Sequence, residues 1–370
     1  QDSSFAGNKT AQGNQDSNNI GDFYYTPPTG FLALCTKNLP DVAVVPSEHF
    51  NTVLYTGTGS NQSVSTGFQP DLTWIKERNS STDHGLWNSV VGASKYLKSN
   101  GTDAESNSSS FGMQSFDSNG FTIGTSGNFN GSSDTYVSWN WKANGSGSSN
   151  TNGTITSTVS ANVDAGFSIV GWTGSGSAGT IGHGLNSTPE MIITFARSNG
   201  DSHRTYHSGL TDPTEHYLKL DTTDAEIDGS FTTWNSTAPT SSVFSVHADN
   251  SNNGSGRTYV GYCFHSVDGY SKVGSYTGNG NADGTFVYTG FRPEFVMVKR
   301  TDAANNWQIF RYDDKTLEAN ESSAEYGGDY IDIVSNGFKT RSTANSVNGS
   351  SASYIYLAFA ETPFKYSNAR

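Results

Sequence analysis

Cysteine and basic residues are scarce in this sequence of 370 residues. Its two cysteines, Cys35 and Cys263, lie in different regions, so disulfide bonds do not hold the fold together. The chain has 21 Lys and Arg residues against 34 Asp and Glu residues, which gives a net charge of -13 with no basic cluster. Because nucleic acids bind to basic surfaces, we expect no nucleic-acid partner.

Long apolar runs and helix-forming residues are scarce as well. The longest apolar run, Tyr354 to Ala360, has the length of a strand, so membrane insertion is not expected. Ala, Leu and Lys are sparse whereas Gly occurs 41 times, and the one candidate helical turn runs from Leu86 to Leu97. Hydrophobic residues make up 33% of the chain and aromatic residues 12%, so any core must depend on Phe, Tyr and Trp.

One pattern is present three times. An apolar run leads into Thr-Gly-x-Gly, and the three runs begin at Phe50, Phe167 and Tyr270. A spacing of about a hundred residues is too long for a solenoid repeat or a propeller blade, and it is long enough for each copy to have its own small core. The glycines supply the positive-φ positions of a tight hairpin or a bulge. The sequence therefore predicts three modules.

Four further landmarks follow in the same order in each copy. They are a Gly-apolar pair with a proline before an apolar run, an aromatic residue, a leucine seven residues before Ala-Glu, and an Asn-Gly-Ser turn before a tyrosine-led strand. Their positions are Gly67, Gly184 and Gly290; Trp87, Tyr206 and Phe310; Leu97, Leu218 and Leu317; and Asn130, Asn253 and Asn348. The shared order and spacing indicate a shared fold.

The tyrosine-led closing runs have the period of a strand. Val137, Trp139 and Trp141 fall on one face, as in a half-buried antiparallel strand. We expect Trp139, Tyr262 and Leu357 to occupy equivalent core positions. The predicted fold is all-β, with three tandem homologous antiparallel β-sandwich or jelly-roll modules and an extended N-terminal arm. The predicted boundaries are 1–49 for the arm, 50–142 for module 1, 143–166 for a Gly/Ser linker with an edge strand, 167–266 for module 2 and 267–370 for module 3.

The three copies, the arm from Phe23 to Phe31 and the ending from Pro363 to Arg370 resemble an uncharacterised repeat domain. That domain lies at the C-terminus of structural and tail-fibre-like proteins of marine tailed phages, where it often follows a SPRY-type, concanavalin-like domain. Gln1 to Gly21 resembles the end of such a domain. The resemblance covers essentially the whole chain. It implies a virion or extracellular location, and it supplies no catalytic residue.

The residues themselves give little support for catalysis. The sequence has no G-x-S-x-G nucleophile elbow, and no helix pattern follows Thr-Gly-x-Gly to present an N-terminus to a dinucleotide. His203 and His207 would lie on one face of a strand about 13 Å apart, which is too far to share a metal directly. A single recurring carboxylate per module lacks the facing partner of a glycosidase. We expect neither enzyme activity nor an organic cofactor.

A recurring acid is the first candidate site. Glu105, Glu226 and Glu325 occupy one position in all three modules, next to loops rich in Asp and Asn. Carboxylates combined with amide and backbone oxygens suit Ca²⁺, so the three glutamates are candidate calcium ligands. The alternative is that each glutamate accepts hydrogen bonds from turn amides and fixes a shared loop.

A recurring aromatic residue is the second candidate. Tyr55, Trp172 and Tyr276 stand beside the Thr-Gly-x-Gly turn. An aromatic ring near a polar loop is a common platform for sugar stacking, so these residues are candidate glycan-binding residues. The alternative is that each ring belongs to the core or to a cross-strand pair.

The arm is the third candidate. It carries a small apolar set, Phe23, Tyr24, Tyr25, Phe31 and Leu34, which is too little to fold alone. We expect the arm to become ordered against a module or a neighbouring subunit.

Two functional hypotheses follow. The first is a non-enzymatic phage virion structural protein, a tail fibre or related appendage, that assembles with its own copies or other virion proteins and attaches to a host surface or glycan. The second is a self-assembling extracellular filament subunit whose arm adds a strand to an exposed edge of the next subunit.

Overall fold

The computed structural model describes residues 10–33, Cys35, Asn38 and 44–361. Strand makes up 40% and helix 3% of the structure, in several antiparallel sheets, so the predicted all-β sandwich class is confirmed. A 3-10 helix, Pro46–Glu48, precedes the first strand. Within the described ranges, no helix is long and apolar enough to cross a membrane.

Module 1 consists of two main sheets and a small strand pair. Its elements are β1 (Phe50–Thr56), β2 (Gln62–Ser65), β3 (Leu72–Glu77), β4 (Gly85–Asn88), β5 (Lys95–Tyr96), β6 (Ser106–Asn107), β7 (Met113–Asp117), β8 (Gly120–Ile123), α1 (Gly127–Asn130) and β9 (Thr135–Trp141). The larger sheet has the strand order β1-β9-β3-β4, the smaller sheet has the order β2-β8-β7, and β5 pairs with β6.

The linker and module 2 form one large sheet and one small sheet. The linker contributes β10 (Ser148–Asn150) and β11 (Ser157–Asn162). Module 2 contributes β12 (Phe167–Thr173), β13 (Gly179–Gly182), β14 (Met191–Ala196), β15 (Arg204–His207), β16 (His216–Lys219), β17 (Ile227–Asp228), α2 (Phe231–Trp234), β18 (Val243–Val246) and β19 (Thr258–Phe264). The large sheet has the order β10-β11-β12-β19-β14-β15-β16-β17, and β13 pairs with β18.

Module 3 repeats the two-sheet arrangement of module 1. Its strands are β20 (Ser271–Thr277), β21 (Phe286–Tyr288), β22 (Pro293–Arg300), β23 (Gln308–Arg311), β24 (Lys315–Glu318), β25 (Tyr326–Gly327), β26 (Ile331–Val334), β27 (Gly337–Thr340) and β28 (Ser353–Ala360). The orders are β20-β28-β22-β23-β24-β25 and β21-β27-β26.

The closing strand lies between the opening strand and the entry strand in all three modules, as β1-β9-β3, β12-β19-β14 and β20-β28-β22. Trp139, Tyr262 and Leu357 hold the same position in this arrangement, and all three are buried in one apolar cluster. Their expected equivalence is confirmed. The expected helical turn from Leu86 to Leu97 is wrong, because Leu86 in β4 and Leu97, which directly follows β5, exchange backbone hydrogen bonds of 2.8 and 3.0 Å.

The closing strands are buried on both faces, whereas the sequence predicted half-buried strands. One face carries Tyr136, Tyr259 or Tyr354 into an apolar cluster inside its own module. The opposite face carries residues of all three modules into a single central cluster. The prediction missed this second face because it treated each module as a unit with a solvent-exposed side.

Aromatic rings from distant parts of the chain meet in the central cluster. Phe50 stacks on Phe359 with ring centroids 4.7 Å apart. Trp141 lies 6.4 Å from Phe167 and 5.7 Å from Phe359, again between ring centroids. Since buried apolar surface is the main source of stability, the three modules are bound together by a shared core.

Candidate functional site

The recurring glutamates lie at the junctions between modules. Both carboxylate oxygens of Glu325 in module 3 accept hydrogen bonds from the guanidinium of Arg78 in module 1, at 2.7 and 2.9 Å. The backbone amide of Glu325 donates to the carbonyl of Arg78 at 2.8 Å. Arg311, which is 1% exposed at its side chain, donates to the same carboxylate at 2.9 Å. This junction joins the last module to the first.

The equivalent contacts join the other modules in the same direction. The amide of Glu105 in module 1 donates to the carbonyl of Arg197 in module 2 at 2.8 Å, and Arg197 Nε donates to the Glu105 carboxylate at 2.8 Å. The amide of Glu226 in module 2 donates to the carbonyl of Thr301 in module 3 at 2.8 Å. Thr301 has no guanidinium, and the Glu226 carboxylate instead lies 3.3 Å from His216 Nδ1.

These contacts form a closed cycle from module 1 to 2, from 2 to 3 and from 3 to 1. The contacts differ from both interpretations of the glutamates, because the carboxylates of Glu105 and Glu325 pair with arginines and the backbone amides of all three donate to the next module. Throughout residues 10–33, Cys35, Asn38 and 44–361, no group of three or more His, Cys, Asp or Glu side chains is placed to hold a metal ion. The interpretation as calcium ligands stays a prediction, and arginines already pair with the carboxylates of Glu105 and Glu325.

A histidine or tryptophan at one shared position forms a second set of junction contacts. His203 Nε2 in module 2 lies 2.8 Å from the carbonyl of Lys98 and 2.9 Å from that of Gly101, both in module 1. In module 3, Trp307 Nε1 donates to the carbonyl of Lys219 in module 2 at 2.8 Å. The histidines noted in the sequence therefore serve as links between modules.

His84 makes the equivalent contact from module 1 to module 3. Its Nδ1 accepts a hydrogen bond from Trp74 Nε1 at 2.8 Å, so Nε2 carries the hydrogen and donates to the carbonyls of Glu318 and Glu321, at 3.1 and 3.2 Å. Burial lowers the pKa of His84 to about 3, so the ring is neutral at pH 7.

A third set of junction residues was missed by the sequence reasoning. An acidic residue follows the landmark proline in every module, at Asp71, Glu190 and Glu294. The carboxylates of Asp71 and Glu190 accept backbone hydrogen bonds from Ala143 and Ser266, at 2.7 and 2.5 Å, where the chain leaves the module. The Pro-Asp and Pro-Glu pairs were visible in the sequence and could have been read as a fifth landmark.

Glu294 differs from its two equivalents, because its partner lies in another module. Its Oε1 accepts a hydrogen bond of 2.7 Å from the amide of Thr52 in β1. Burial raises the pKa of Glu294 to about 7, against the opposing effect of the hydrogen bonds from Thr52. A carboxylate therefore caps one amide on the open side of the edge strand β1.

The Asn-Gly-Ser landmark holds the Thr-Gly-x-Gly loop of the same module. In module 2, Asn253 Oδ1 accepts from the amide of Ser175 at 2.9 Å, and Nδ2 donates to the carbonyls of Ser177 and His247, at 2.7 and 2.6 Å. Asn130 and Asn348 make the equivalent contacts, and all three asparagines are fully buried. Each loop thus has a fixed backbone and exposed side chains at its tip.

Glycine is required where the two landmarks touch. A Cβ added to Gly57 would lie 2.1 Å from the carbonyl oxygen of Gly131. The equivalent distance is 2.3 Å for Gly174 and for Gly278. The recurrence of these glycines therefore reflects close backbone approach.

The candidate glycan-binding rings pack inside their modules. Trp172 lies in β12 and is 4% exposed, and its ring stacks on Tyr259 with centroids 5.4 Å apart. Its Nε1 donates to the carbonyl of Asn252 at 3.0 Å. The interpretation of Trp172 as a sugar platform is corrected, since stacking needs an open ring face.

Tyr55 and Tyr276 are partly buried in the same way. Tyr55 stacks on Tyr136 with centroids 5.1 Å apart, and Tyr276 stacks on Tyr354 at 4.9 Å. Each hydroxyl donates to a backbone carbonyl at 2.7 Å. The geometry favours the cross-strand alternative for both.

The arm folds back on itself around Asp16. The Asp16 carboxylate accepts hydrogen bonds from the amides of Asn18, Ile20 and Ala33, at 2.8 to 3.0 Å, and from the side chain of Asn38 at 2.7 Å. Although desolvation opposes the change, these hydrogen bonds lower the pKa of Asp16 to about 2. The predicted extended arm is therefore looped in residues 10–33.

The arm displays apolar side chains on this loop. Tyr24, Tyr25 and Phe31 are exposed, and Phe23 is partly buried in an isolated bridge with Asn14. Leu34, the fifth member of the predicted set, lies outside the described residues.

Comparison with protein families identifies a family for most of this chain. A protein-family model described as a domain of unknown function (DUF7483) matches residues 45–363. The match begins shortly before β1 and includes all three modules. A search of the curated proteins finds no match.

Proposed function

This chain belongs to the family described as Domain of unknown function (DUF7483), and we propose that it is a non-enzymatic structural protein of a phage virion. In this proposal it forms part of a tail fibre or related appendage, assembles with its own copies or with other virion proteins, and attaches to a host surface. The phage assignment depends on the sequence resemblance. The structural role is supported by the junctions between modules.

The observation that carries the proposal is the closed cycle of junctions. Glu105, Glu226 and Glu325 contact the next module in one direction, and His84, His203 and Trp307 contact the preceding module in the other. The glutamates and histidines in this set are residue types that often carry acid-base or metal chemistry, and here they bind modules together. We call the three modules joined in this closed cycle the hub. Such an arrangement suits a protein that bears mechanical load or presents loops to a partner.

The three Thr-Gly-x-Gly loops, each held by a buried asparagine, are the proposed attachment surface. Their tips carry exposed polar residues, at 58–61, 175–178 and 279–283. Because the modules are arranged cyclically, the three loops have equivalent positions on the hub. Fixed backbones lower the ordering cost of binding, and three weak contacts gain affinity through avidity.

The alternative function is a self-assembling extracellular filament. The exposed rings of the arm favour it, because apolar side chains held on a polar loop are suited to a partner surface. Electron microscopy of purified particles, with an antibody to this chain as a label, separates the two. Label on appendages of a virion supports the first function, and label along free filaments supports the second.

Attachment can be tested with substitutions at the loop tips. Asn61, Ala178 and Ala282 are exposed and stand at the same distance from the first loop glycine. Replacing one of them with Arg should weaken binding to host cells several-fold, and replacing all three should weaken it further by loss of avidity. Ser149→Arg in the exposed part of the linker is the matched control. Turnover of a surface polysaccharide by the purified chain would overturn the non-enzymatic assignment.

A further inference from the structure

The linker covers the open edge of the small sheet in module 2. The amide of Ile155 donates to the carbonyl of Thr180 in β13 at 2.9 Å, and Ile155 forms a parallel bridge with Ile181. The hydroxyl of Ser157 donates to the carbonyl of Gly182 at 2.9 Å. An extended segment therefore satisfies the outward backbone groups of β13.

The equivalent edges of modules 1 and 3 have no such cover among the described residues. Within the part of the chain that the structure describes, β2 pairs only with β8, and β21 pairs only with β27. The register places Ser63 and Ser65 of β2, and Phe286 and Tyr288 of β21, at the positions that the linker covers in module 2.

The two open edges differ in chemistry. Ser63 and Ser65 are polar, as expected of an edge that stays in contact with water. Phe286 and Tyr288 are 47% and 65% exposed. Two exposed rings on an open edge strand expose both apolar surface and unpaired backbone groups, a combination typical of a site for strand addition.

Among the described residues, module 3 has no linker like the one that precedes module 2. β19 ends at Phe264 and β20 begins at Ser271, and the short connection between them is tied to the start of β20 by mutual hydrogen bonds of Val267 and Ser271. A strand that covers β21 would therefore come from a segment other than this connection.

The arm matches the covering segment in sequence pattern. In the linker, Gly153 precedes Ile155 by two residues, and a Cβ on Gly153 would lie 2.3 Å from the carbonyl oxygen of Thr180. The arm has Gly30 two residues before Leu32, with no atom near its Cβ position. Phe31 and Leu32 are 68% and 44% exposed, so the arm presents apolar side chains for burial.

We propose that the segment from Thr29 to Ala33 of one copy of this chain adds as a strand to β21 of a second copy, against Phe286 and Tyr288. The inference rests on the assembly role proposed above and assigns its contact surface. A second copy is the expected donor because Asp16 and its hydrogen-bond partners tie the arm of each copy into its own loop.

The test uses two complementary variants of the full chain in sedimentation velocity experiments. Phe286→Ser with Tyr288→Ser removes the acceptor and gives β21 the residues of β2, and Phe31→Ser with Leu32→Ser removes the donor. The wild type should self-associate with concentration, and each double variant should associate roughly tenfold or more weakly. Phe231→Ser, which removes an exposed ring from module 2, is the matched control and should associate like the wild type.

Mixing the two double variants gives the decisive result. Each retains the half that the other lacks, so a mixture should form a heterodimer that does not grow further. A mixture that stays monomeric, variants that associate like the wild type, or a wild type that is monomeric at every concentration would each overturn the proposal. A further outcome is a monomeric wild type in which the protection of β21 from hydrogen exchange is lost on Leu32→Ser. That result would mean that the chain's own arm covers β21, and it would also overturn the proposal. None of these outcomes alters the microscopy test of virion attachment, so the two proposals fail separately.

Discussion

Arg78 and Glu325 are 247 positions apart in the chain, yet the guanidinium of one and the carboxylate of the other form a two-point ion pair. Their backbones are also joined, since the Glu325 amide donates to the Arg78 carbonyl. This contact closes the cycle of modules. It is the strongest of the three glutamate junctions, because two arginines share the carboxylate.

Glu325→Ala should be the most destabilising of the glutamate substitutions. It leaves Arg78 without this carboxylate and the buried Arg311 with Asp313 as its acidic partner, which we expect to cost about 2 to 3 kcal/mol. Glu226→Ala removes a contact with His216 and an amide and should cost about 1 kcal/mol. Urea denaturation measures both, with the exposed Asp103→Ala as control. Equal costs at the two glutamates would contradict this account of ring closure.

Glu294→Gln should stabilise the protein increasingly as pH rises from about 4.5 to 7. The folded-state pKa of Glu294, about 7, lies above the ordinary value of 4.5, so the folded state binds more protons in this window and loses stability as pH rises through it. Glutamine keeps an oxygen for the Thr52 amide and carries no charge, so the gain near pH 7 should be on the order of 3 kcal/mol. Denaturation midpoints across this pH range provide the measurement.

A control of opposite sign is available for this pH experiment. The hydrogen bond from Lys219 lowers the pKa of Asp224, so its contribution is present above the ordinary Asp value and is lost in acid. Asp224→Asn should therefore reduce stability at neutral pH and have less effect in acid. A flat difference between Glu294→Gln and the wild type would show that the buried carboxylate does not titrate near 7.

Asn253→Ala should loosen the loop of module 2 while leaving the other two loops fixed. The substitution removes the four hydrogen bonds of the Asn253 side chain and leaves the Ser175 amide without its partner, at a cost of about 2 to 4 kcal/mol. Hydrogen exchange should become faster in residues 174–179, with no change at 57–61 or 278–283. Asn61→Ala, at an exposed loop tip, is the control. Faster exchange in all three loops would mean that the loops are coupled through the hub.

Trp139→Ala and Trp172→Ala should have comparable costs, about 3 to 5 kcal/mol each. Trp139 lies in the shared core and Trp172 in the core of module 2, and both are buried. Thermal or chemical denaturation compares them. A much smaller effect at Trp172 would restore the idea that its ring sits at an open loop.

The sequence was sufficient for the class of fold and for the equivalence of the modules. Recurring glycines, asparagines and closing strands encode contacts inside one module, such as that between Asn253 and Ser175, and local contacts leave a repeated pattern. The contacts between modules were not predictable in the same way. Glu226 meets a threonine carbonyl where Glu105 meets an arginine, so the backbone contact recurs while the side-chain partner does not.

The interpretation of Trp172 as a sugar platform was wrong for a related reason. A ring beside a polar loop has the same sequence pattern whether its face is open or stacked, and Trp172 is stacked on Tyr259. Which edge of a sheet is covered also depends on where a linker runs. Thr180 and Phe286 hold equivalent positions in β13 and β21, and the sequence does not show that the linker covers the edge at Thr180.

The stacking of Phe50 on Phe359 has a consequence for biosynthesis. During translation β1 leaves the ribosome long before β28, which carries Phe359. Phe50 and Trp141 therefore lack this contact until module 3 has been made. Contacts of such long sequence separation slow folding and leave an apolar surface open in the nascent chain. A chain released before module 3 is complete would expose this apolar surface and would tend to aggregate. Continuous synthesis, or binding of a chaperone to the nascent chain, would prevent that aggregation.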